Sequence, residues 1–328
     1  MPLARFAWLV LAYNVAVINW GAYVRATGSG AGCGSHWPLC NGQVVPRAPA
    51  IATIIEFSHR LTSGVALIAV AVLAVWVFRE CGRGHPARRA GALSLLFILT
   101  EAAVGAGLVL FQLVADNATM ARAMFVAVHL LNTFFLLAAL TATAWWASTG
   151  GRVETRGKAP AIWSISAGAA MLLLAGASGA VAALGDTLFP SMSLSEGILA
   201  DLSASSHMLM RLRVLHPFVA VCAAGTIVVL SARLAGRIGG RAARWGRGVG
   251  ALALTQVGLG FLNVVLLAPV WLQMVHLFVA DLIWIGFVVL GVQAITAAVP
   301  VRVEAGAGAA TRAAEGSTLV ASADTVIR

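Results

Sequence analysis

The sequence predicts an all-α polytopic membrane protein, with eight transmembrane helices arranged as two pseudo-repeated four-helix bundles. Three observations lead there. Hydrophobic residues make up 60% of the 328 and charged residues only 10%, against roughly 25% charged in an ordinary soluble domain. So little charge cannot cover a water-exposed surface, and so much apolar content excludes a disordered chain. Apolar runs of bilayer length recur eight times, and short strings from the first half reappear in the second.

A hydrocarbon core of roughly 30 Å needs about 20 mostly apolar residues per helix. The runs lie near 6–26, 52–78, 91–113, 123–147, 161–184, 207–232, 248–268 and 271–297. The first reads as a span and not as a cleaved signal peptide. It continues through Asn14, Asn19 and Trp20 into Arg25, with no small-residue cleavage site behind a short apolar core.

Basic residues set the orientation. On one side fall Arg5, Arg79, Arg83, Arg88, Arg89, Arg152, Arg156, Lys158, Arg233, Arg237, Arg241, Arg244, Arg247, Arg302, Arg312 and Arg328. Only Arg25, Arg47, Arg60, Arg122, Arg211 and Arg213 fall on the other. The richer side is expected in the cytoplasm, with both termini, in a cell membrane. The net charge of +10 is then a topology signal, and no nucleic-acid partner is implied. Residues 301–328, rich in Ala, Gly, Ser and Thr, read as a disordered cytoplasmic tail.

Of four cysteines, Cys33 and Cys40 lie in the first outer loop, in GCGSHWPLCNG. Only these two share an oxidising compartment and a plausible spacing. The spacing leaves open a structural staple and a redox-active pair. Cys81 sits in a cytoplasmic loop, and Cys222 reads as a small core residue of the sixth span.

Seven histidines occur. His85 is expected in solvent on the cytoplasmic side, His36 in the outer loop and His207 at the outer end of the sixth span. His59, His129, His216 and His276 lie inside the second, fourth, sixth and eighth spans, where an ionisable group is costly and therefore a functional candidate. All four spans enter from outside, and each histidine lies a few residues past its helix start. At 1.5 Å per residue that is about 7–15 Å below the outer surface for all four. Paired imidazoles at matched depth suit axial ligation of haem iron. Zinc or copper also accepts histidine, but no Met or carboxylate cluster surrounds the four, and an apolar bundle suits a porphyrin.

The spacing repeats. GAY at 21–23 aligns with GAV at 179–181, His59 with His216, TEAAVG at 100–105 with TQVGLG at 255–260, and VHL at 128–130 with VHL at 275–277. The offsets of 158, 157, 155 and 147 define parallel halves, 1–150 and 151–300, with one haem site in each. At one site Glu56 precedes its histidine by three residues; at the other, Arg213 does. A carboxylate there suits proton transfer at a haem edge, or an ion pair with Arg60 or Arg25. A guanidinium there suits a haem propionate, or an anchor at the interface. Glu101, Gln256, Asn263 and Asp281 read as interhelical hydrogen-bonding residues. Gly105, Gly107, Gly258 and Gly260 allow close packing or room for a flat macrocycle.

At these residues the chain resembles the haem A synthase family over nearly its whole length to about residue 297. The resemblance rests on RATGSGAGC at 25–33, WPLCNG at 37–42, EFSHRLTS at 56–63 and the three later histidines in register. It implies that haem O binds in the N-terminal half, where its C8 methyl is oxidised through an alcohol to the formyl group of haem A. His59 and His129 would flank this substrate, and Glu56 matches the family's essential glutamate. His216 and His276 would ligate a haem b cofactor that passes electrons. Arg25, Arg60, Arg211 and Arg213 are candidate propionate contacts. Cys33 and Cys40 match an outer-loop pair found in many members, while a second such pair of some members is absent here. The pathway implies haem O synthase and oxidase assembly factors as partners, beside membrane lipid, and is compatible with a homo-oligomer. Two other readings of four histidines stand beside this one. One is a quinol-linked dihaem electron-transfer cytochrome, which leaves the exchange of Glu56 for Arg213 unexplained. The other is a transporter or haem-handling protein, which would place its site at the midplane.

Overall fold

The computed structural model describes residues 2–240 and 242–297; the expected tail and its three arginines, and Arg241, lie outside them. The helices are α1 (Pro2–Ala26), α2 (Ile51–Glu80), α3 (Pro86–Leu110), α4 (Met120–Thr149), α5 (Ala159–Leu188), α6 (Leu194–Leu202), α7 (Met208–Arg213), α8 (Leu215–Ile238), α9 (Ala242–Val265) and α10 (Val270–Ile295). Among the described residues, eight crossings are long and apolar enough for a membrane, with α7 and α8 forming one of them.

Local chemistry sets the helix ends. Pro86 opens α3, a position where its missing N–H costs nothing. His85 caps that helix by accepting from the Ala87 N–H at 3.2 Å. It is therefore partly buried and not free in solvent, and burial holds its pKa below that of an ordinary imidazole. Thr119 caps α4 through the Arg122 N–H. Ser193 caps α6 through the Glu196 N–H, while the Glu196 carboxylate accepts from the Met192 N–H at 3.1 Å.

Two features depart from the sequence expectation. The sixth span is interrupted at Val214, because Pro217 has no N–H for the Arg213 carbonyl and its ring crowds that oxygen. The loop before it contains α6, a nine-residue helix too short to register as an apolar run.

The side chains are arranged for lipid. On α2, Leu61, Val65, Ile68, Val72 and Val75 are exposed along one stripe, while Val70, Leu73, Ala74 and Val77 are buried on the other. Cys222 is exposed on α8, so its expected place in the core is wrong; a small apolar residue suits a lipid-facing surface equally well.

Helices α1, α2, α3 and α4 pack in a ring, each against its neighbours, and α5, α8, α9 and α10 form a second ring. The rings meet where α4 packs on α5 and α10. There Phe134 stacks on Trp284 at 5.2 Å and its carbonyl accepts from the Trp284 indole at 2.7 Å. The first ring's core holds Val70, Leu73, Leu137 and Leu140. The second holds Ile227, Leu230, Phe287 and Leu290. These residues follow the intramembrane histidines in sequence on α2, α4, α8 and α10, so each core lies to the cytoplasmic side of its histidines in the expected orientation. Arg152–Val153 pairs antiparallel with Thr296–Ala297 across the same end.

Candidate functional site: two histidine pairs

Each of the four intramembrane histidines is partly buried and faces a glycine on an adjoining helix. A Cβ on Gly21 of α1 would stand 2.8 Å from His59 Cε1, and one on Gly179 of α5 would stand 2.9 Å from His216 Cε1. A Cβ on Gly105 of α3 would lie 3.7 Å from His129 Cε1, and one on Gly260 of α9 would lie 3.3 Å from His276 Cε1. In both rings, therefore, the helices before the histidine helices carry no side chain where the imidazoles lie.

The histidines come in two pairs. The His216 and His276 ring centroids are 6.5 Å apart and the planes cross at 83°. Two metal–nitrogen bonds of about 2 Å, plus the distance from nitrogen to ring centre on each side, span about 6 Å, so one metal ion fits between the rings. His59 and His129 are carried by α2 and α4 of the first ring. Among the described residues no group of three or more His, Cys, Asp or Glu is placed to hold a metal ion. A macrocycle that brings its own four nitrogens needs only the axial pair.

The Nδ1 atoms of His59, His129 and His276 are buried without a hydrogen bond, although His129 Nδ1 lies 3.2 Å from Glu101 Oε1. Ser178 Oγ sits 3.1 Å from His216 Nδ1. Unpartnered ring nitrogens on His59 and His276, glycine-lined faces and a nitrogen-only donor set fit a haem at both pairs.

Beside the first pair the loop between α1 and α2 is clamped to α2. Cys33 and Cys40 are joined as a disulfide. A Cβ on Gly32 would overlap the backbone of Ala52 and Thr53, and the Thr53 hydroxyl donates to the Gly32 carbonyl at 2.8 Å. Glu56, only 3% exposed, is the centre of this clamp. Its Oε2 accepts from the Cys33 N–H at 2.8 Å. Its Oε1 accepts from Arg60 Nη2 at 2.5 Å and Nε at 3.1 Å. Arg60 also donates to the carbonyls of His36 and Leu39, each at 2.7 Å. So Glu56 has the ion pair with Arg60, while Arg25 is elsewhere. The carboxylate is held in one position, one turn before His59, with its charge balanced.

The other candidate arginines are placed as follows. Arg25 reaches into the second ring, donating to the Ala183 carbonyl and Thr187 hydroxyl at 2.7 Å and to Gln273 Oε1 at 3.0 Å. Arg213 is buried and bound by Asp201 at 2.5 Å and Asp186 at 3.1 Å. Sequence reasoning singled out neither aspartate: they lie 12 and 27 residues from Arg213, beyond any helical periodicity. Arg211 is exposed at the end of α7.

The interhelical polar residues behave unequally. Glu101 ties α3 to α4 through Asn132 and Thr133. Gln256 ties α9 to α10 by donating to the His276 carbonyl at 3.0 Å. Asn19 of α1 donates to Asp281 of α10 over 3.4 Å. Asn263 was expected to bond across helices, but its Oδ1 is buried without a partner.

A family model named COX15-CtaA and described as cytochrome oxidase assembly protein matches residues 4–288. The chain is 49% identical over 308 residues to a protoheme IX farnesyltransferase of Thermus thermophilus, a match covering 93% of this chain and 50% of that one. It is 43% identical over 109 residues to a heme A synthase of Halalkalibacterium halodurans, covering 33% of this chain and 37% of that one. A heme A synthase of Alkalihalophilus pseudofirmus is 42% identical over 95 residues, covering 29% and 32%. The chain thus spans about half, or less, of the length of these relatives.

Proposed function

The chain belongs to the COX15-CtaA family of cytochrome oxidase assembly proteins, and from that premise we propose that it is a haem A synthase that oxidises the C8 methyl of haem O to the formyl group of haem A. The observation that carries the proposal is the pairing of four intramembrane histidines, each faced by glycine, with a buried carboxylate one turn from a histidine at the first pair only. We take residues 1–150 and 151–300 as the two repeated halves.

His59 and His129 would hold haem O as substrate, with Gly21 of α1 and Gly105 of α3 leaving room beside their rings. His216 and His276 would hold haem b, with Ser178 fixing the His216 ring. When bound, haem b supplies one-electron transfer between the first site and an outside redox partner. The remaining work falls to this chain's own groups. Glu56 takes and holds protons at its carboxylate as the methyl loses hydrogen, and Arg60 with the Cys33 N–H keeps that carboxylate aimed. The clamped loop keeps Glu56 in place one turn from His59. Arg211, exposed at the end of α7, is the candidate with room for a propionate, while Arg25, Arg60 and Arg213 act through the protein contacts that occupy them. We place both termini in the cytoplasm and the haem sites toward the outer face of the cell membrane. A relative whose name describes farnesylation of protohaem IX supports placing this chain next to an enzyme that makes farnesylated haem.

The test is extraction and chromatographic identification of haems from protein purified from cells that also make haem O. Haem b with haem O or haem A, in unequal and variable amounts, is expected. Two equivalents of haem b alone would overturn the synthase in favour of the dihaem electron carrier.

A further inference from the structure

The polar network around His129 is only partly matched around His276. Glu101 Oε1 lies 3.2 Å from His129 Nδ1. The Thr133 hydroxyl donates to the same oxygen, and the Asn132 amide donates to Oε2 at 2.5 Å. Asn132 is itself fixed: its Oδ1 accepts from the Thr100 hydroxyl at 2.7 Å, and its amide donates to the Phe97 carbonyl at 2.9 Å. Asn132 and Thr133 stand three and four residues past His129, on the same helix face. In the second ring the aligned positions are Thr255, Gln256, Val279 and Ala280. Gln256 bonds the His276 backbone and its Oε1 is left without a partner, and among the described residues no carboxylate stands against His276 Nδ1 as Glu101 stands against His129 Nδ1.

Interhelical bonding alone does not account for Glu101. Gln256 shows that an amide suffices to tie the third helix of a ring to its fourth, and a carboxylate inside a span is costly. A carboxylate aimed at one nitrogen of a metal-binding imidazole does something an amide does poorly: it fixes the tautomer and ring orientation and raises the ligand's basicity. We propose that Glu101 is a positioning residue for His129. It stands against Nδ1, would leave Nε2 for the haem iron of the first site, and would give that site a histidine ligand tuned unlike either at the second. Asn132 and Thr133 hold the carboxylate in register. This inference rests on the haem reading of the two pairs given above.

The test compares wild-type holoprotein with Glu101→Gln, which installs the residue of the second ring. The readouts are the low-spin electron paramagnetic resonance signals of the two haems, their midpoint potentials and their retention on dilution. A changed signal and a raised potential confined to the first-site haem are expected, with retention there weakened about 10-fold and the second haem unmoved. A folded Glu101→Gln protein with both signals, both potentials and both retentions unchanged overturns the proposal and leaves Glu101 as an interhelical tie. If that variant purifies with no haem at either site, Thr133→Val replaces it, keeping Glu101 but releasing one of its anchors. A smaller shift confined to the first haem supports the proposal, and no shift overturns it. Wild-type protein with no haem at the histidine pairs overturns the haem reading itself, and this inference with it.

Discussion

The first ring of helices and the second share a scaffold and differ in charge. In both, one end of the ring carries two histidines, each faced by a glycine, and the other end closes into an aliphatic core. Around the first pair stand two carboxylates, Glu56 and Glu101, each aimed by hydrogen bonds. At the aligned positions of the second ring stand Arg213, bound by two aspartates, and Gln256. The shared scaffold would let both sites hold the same kind of group. The charge explains why they need not do the same thing with it. A group that accepts protons is useful where hydrogen is removed from a substrate, and of little use where an electron passes through. Under the proposed function, this difference would put the chemistry in the first ring and the relay in the second.

Removing a ligand from either ring is the strongest way to break this comparison. His216→Ala should lose haem b from the second site while haem O still enters the first, and haem analysis of the purified variant checks it. Normal haem b content would collapse the assignment of two unlike sites. Glu56→Gln comes next. It keeps the shape and one acceptor of the clamp but removes the base, and general-base contributions are typically at least about 100-fold. Haem content should stay near wild type while conversion of haem O to haem A falls by that order. Full activity, or loss of haem, would make Glu56 a packing residue of the loop clamp.

The reasons some of this was legible in the sequence, and some was not, are physical. Spans and histidine depth depend on local composition and helical rise, which a sequence carries directly; His59 sits eight residues past Ile51 and His276 six past Val270. The ion pair of Glu56 with Arg60 is an i, i+4 contact and was among the alternatives. The break at Val214 was visible in Pro217 but is overridden in any window of apolar residues. The partners of Arg213 come from a loop helix and from α5, and only the folded chain brings them together. Glu101 and His129 sit on different helices, so the contact itself was hidden. The aligned strings TEAAVG and TQVGLG did display the exchange of Glu101 for Gln256, a signal that the reading of both as interhelical bonds passed over. Cys222 was misplaced because hydropathy does not separate a lipid face from a core.

Filling the glycine faces sharpens the comparison at smaller cost. Gly21→Val puts a branched side chain against His59, and Gly179→Val does the same at His216. Overpacking of this kind costs about 1–3 kcal/mol, so both variants should fold with lowered thermal stability. Gly21→Val should deplete only the farnesylated haem and Gly179→Val only haem b, as read by chromatography of extracted haems. Loss of the same haem in both variants would mean that the two faces line one site.

The smallest effect expected is that of the disulfide, and it separates the two roles left open for Cys33 and Cys40. Closing so short a loop stabilises it by about 2 kcal/mol on the chain-entropy account. The loop has other holds on α2: the Thr53 hydroxyl on the Gly32 carbonyl, the Cys33 N–H on Glu56, and Arg60 on the carbonyls of His36 and Leu39. None of these uses a sulfur atom. The double variant Cys33→Ser/Cys40→Ser should therefore lower thermal stability slightly and turnover by several-fold at most, because Glu56 keeps its backbone donor and its arginine. A staple predicts that this loss is the same with and without added thiol reductant. A redox-active pair predicts a loss as deep as that of Glu56→Gln with haem content unchanged, and a wild-type activity that falls when reductant opens the bond. Turnover of the double variant, set beside wild type in both conditions, decides between them, and the bonds that hold the loop without sulfur favour the staple.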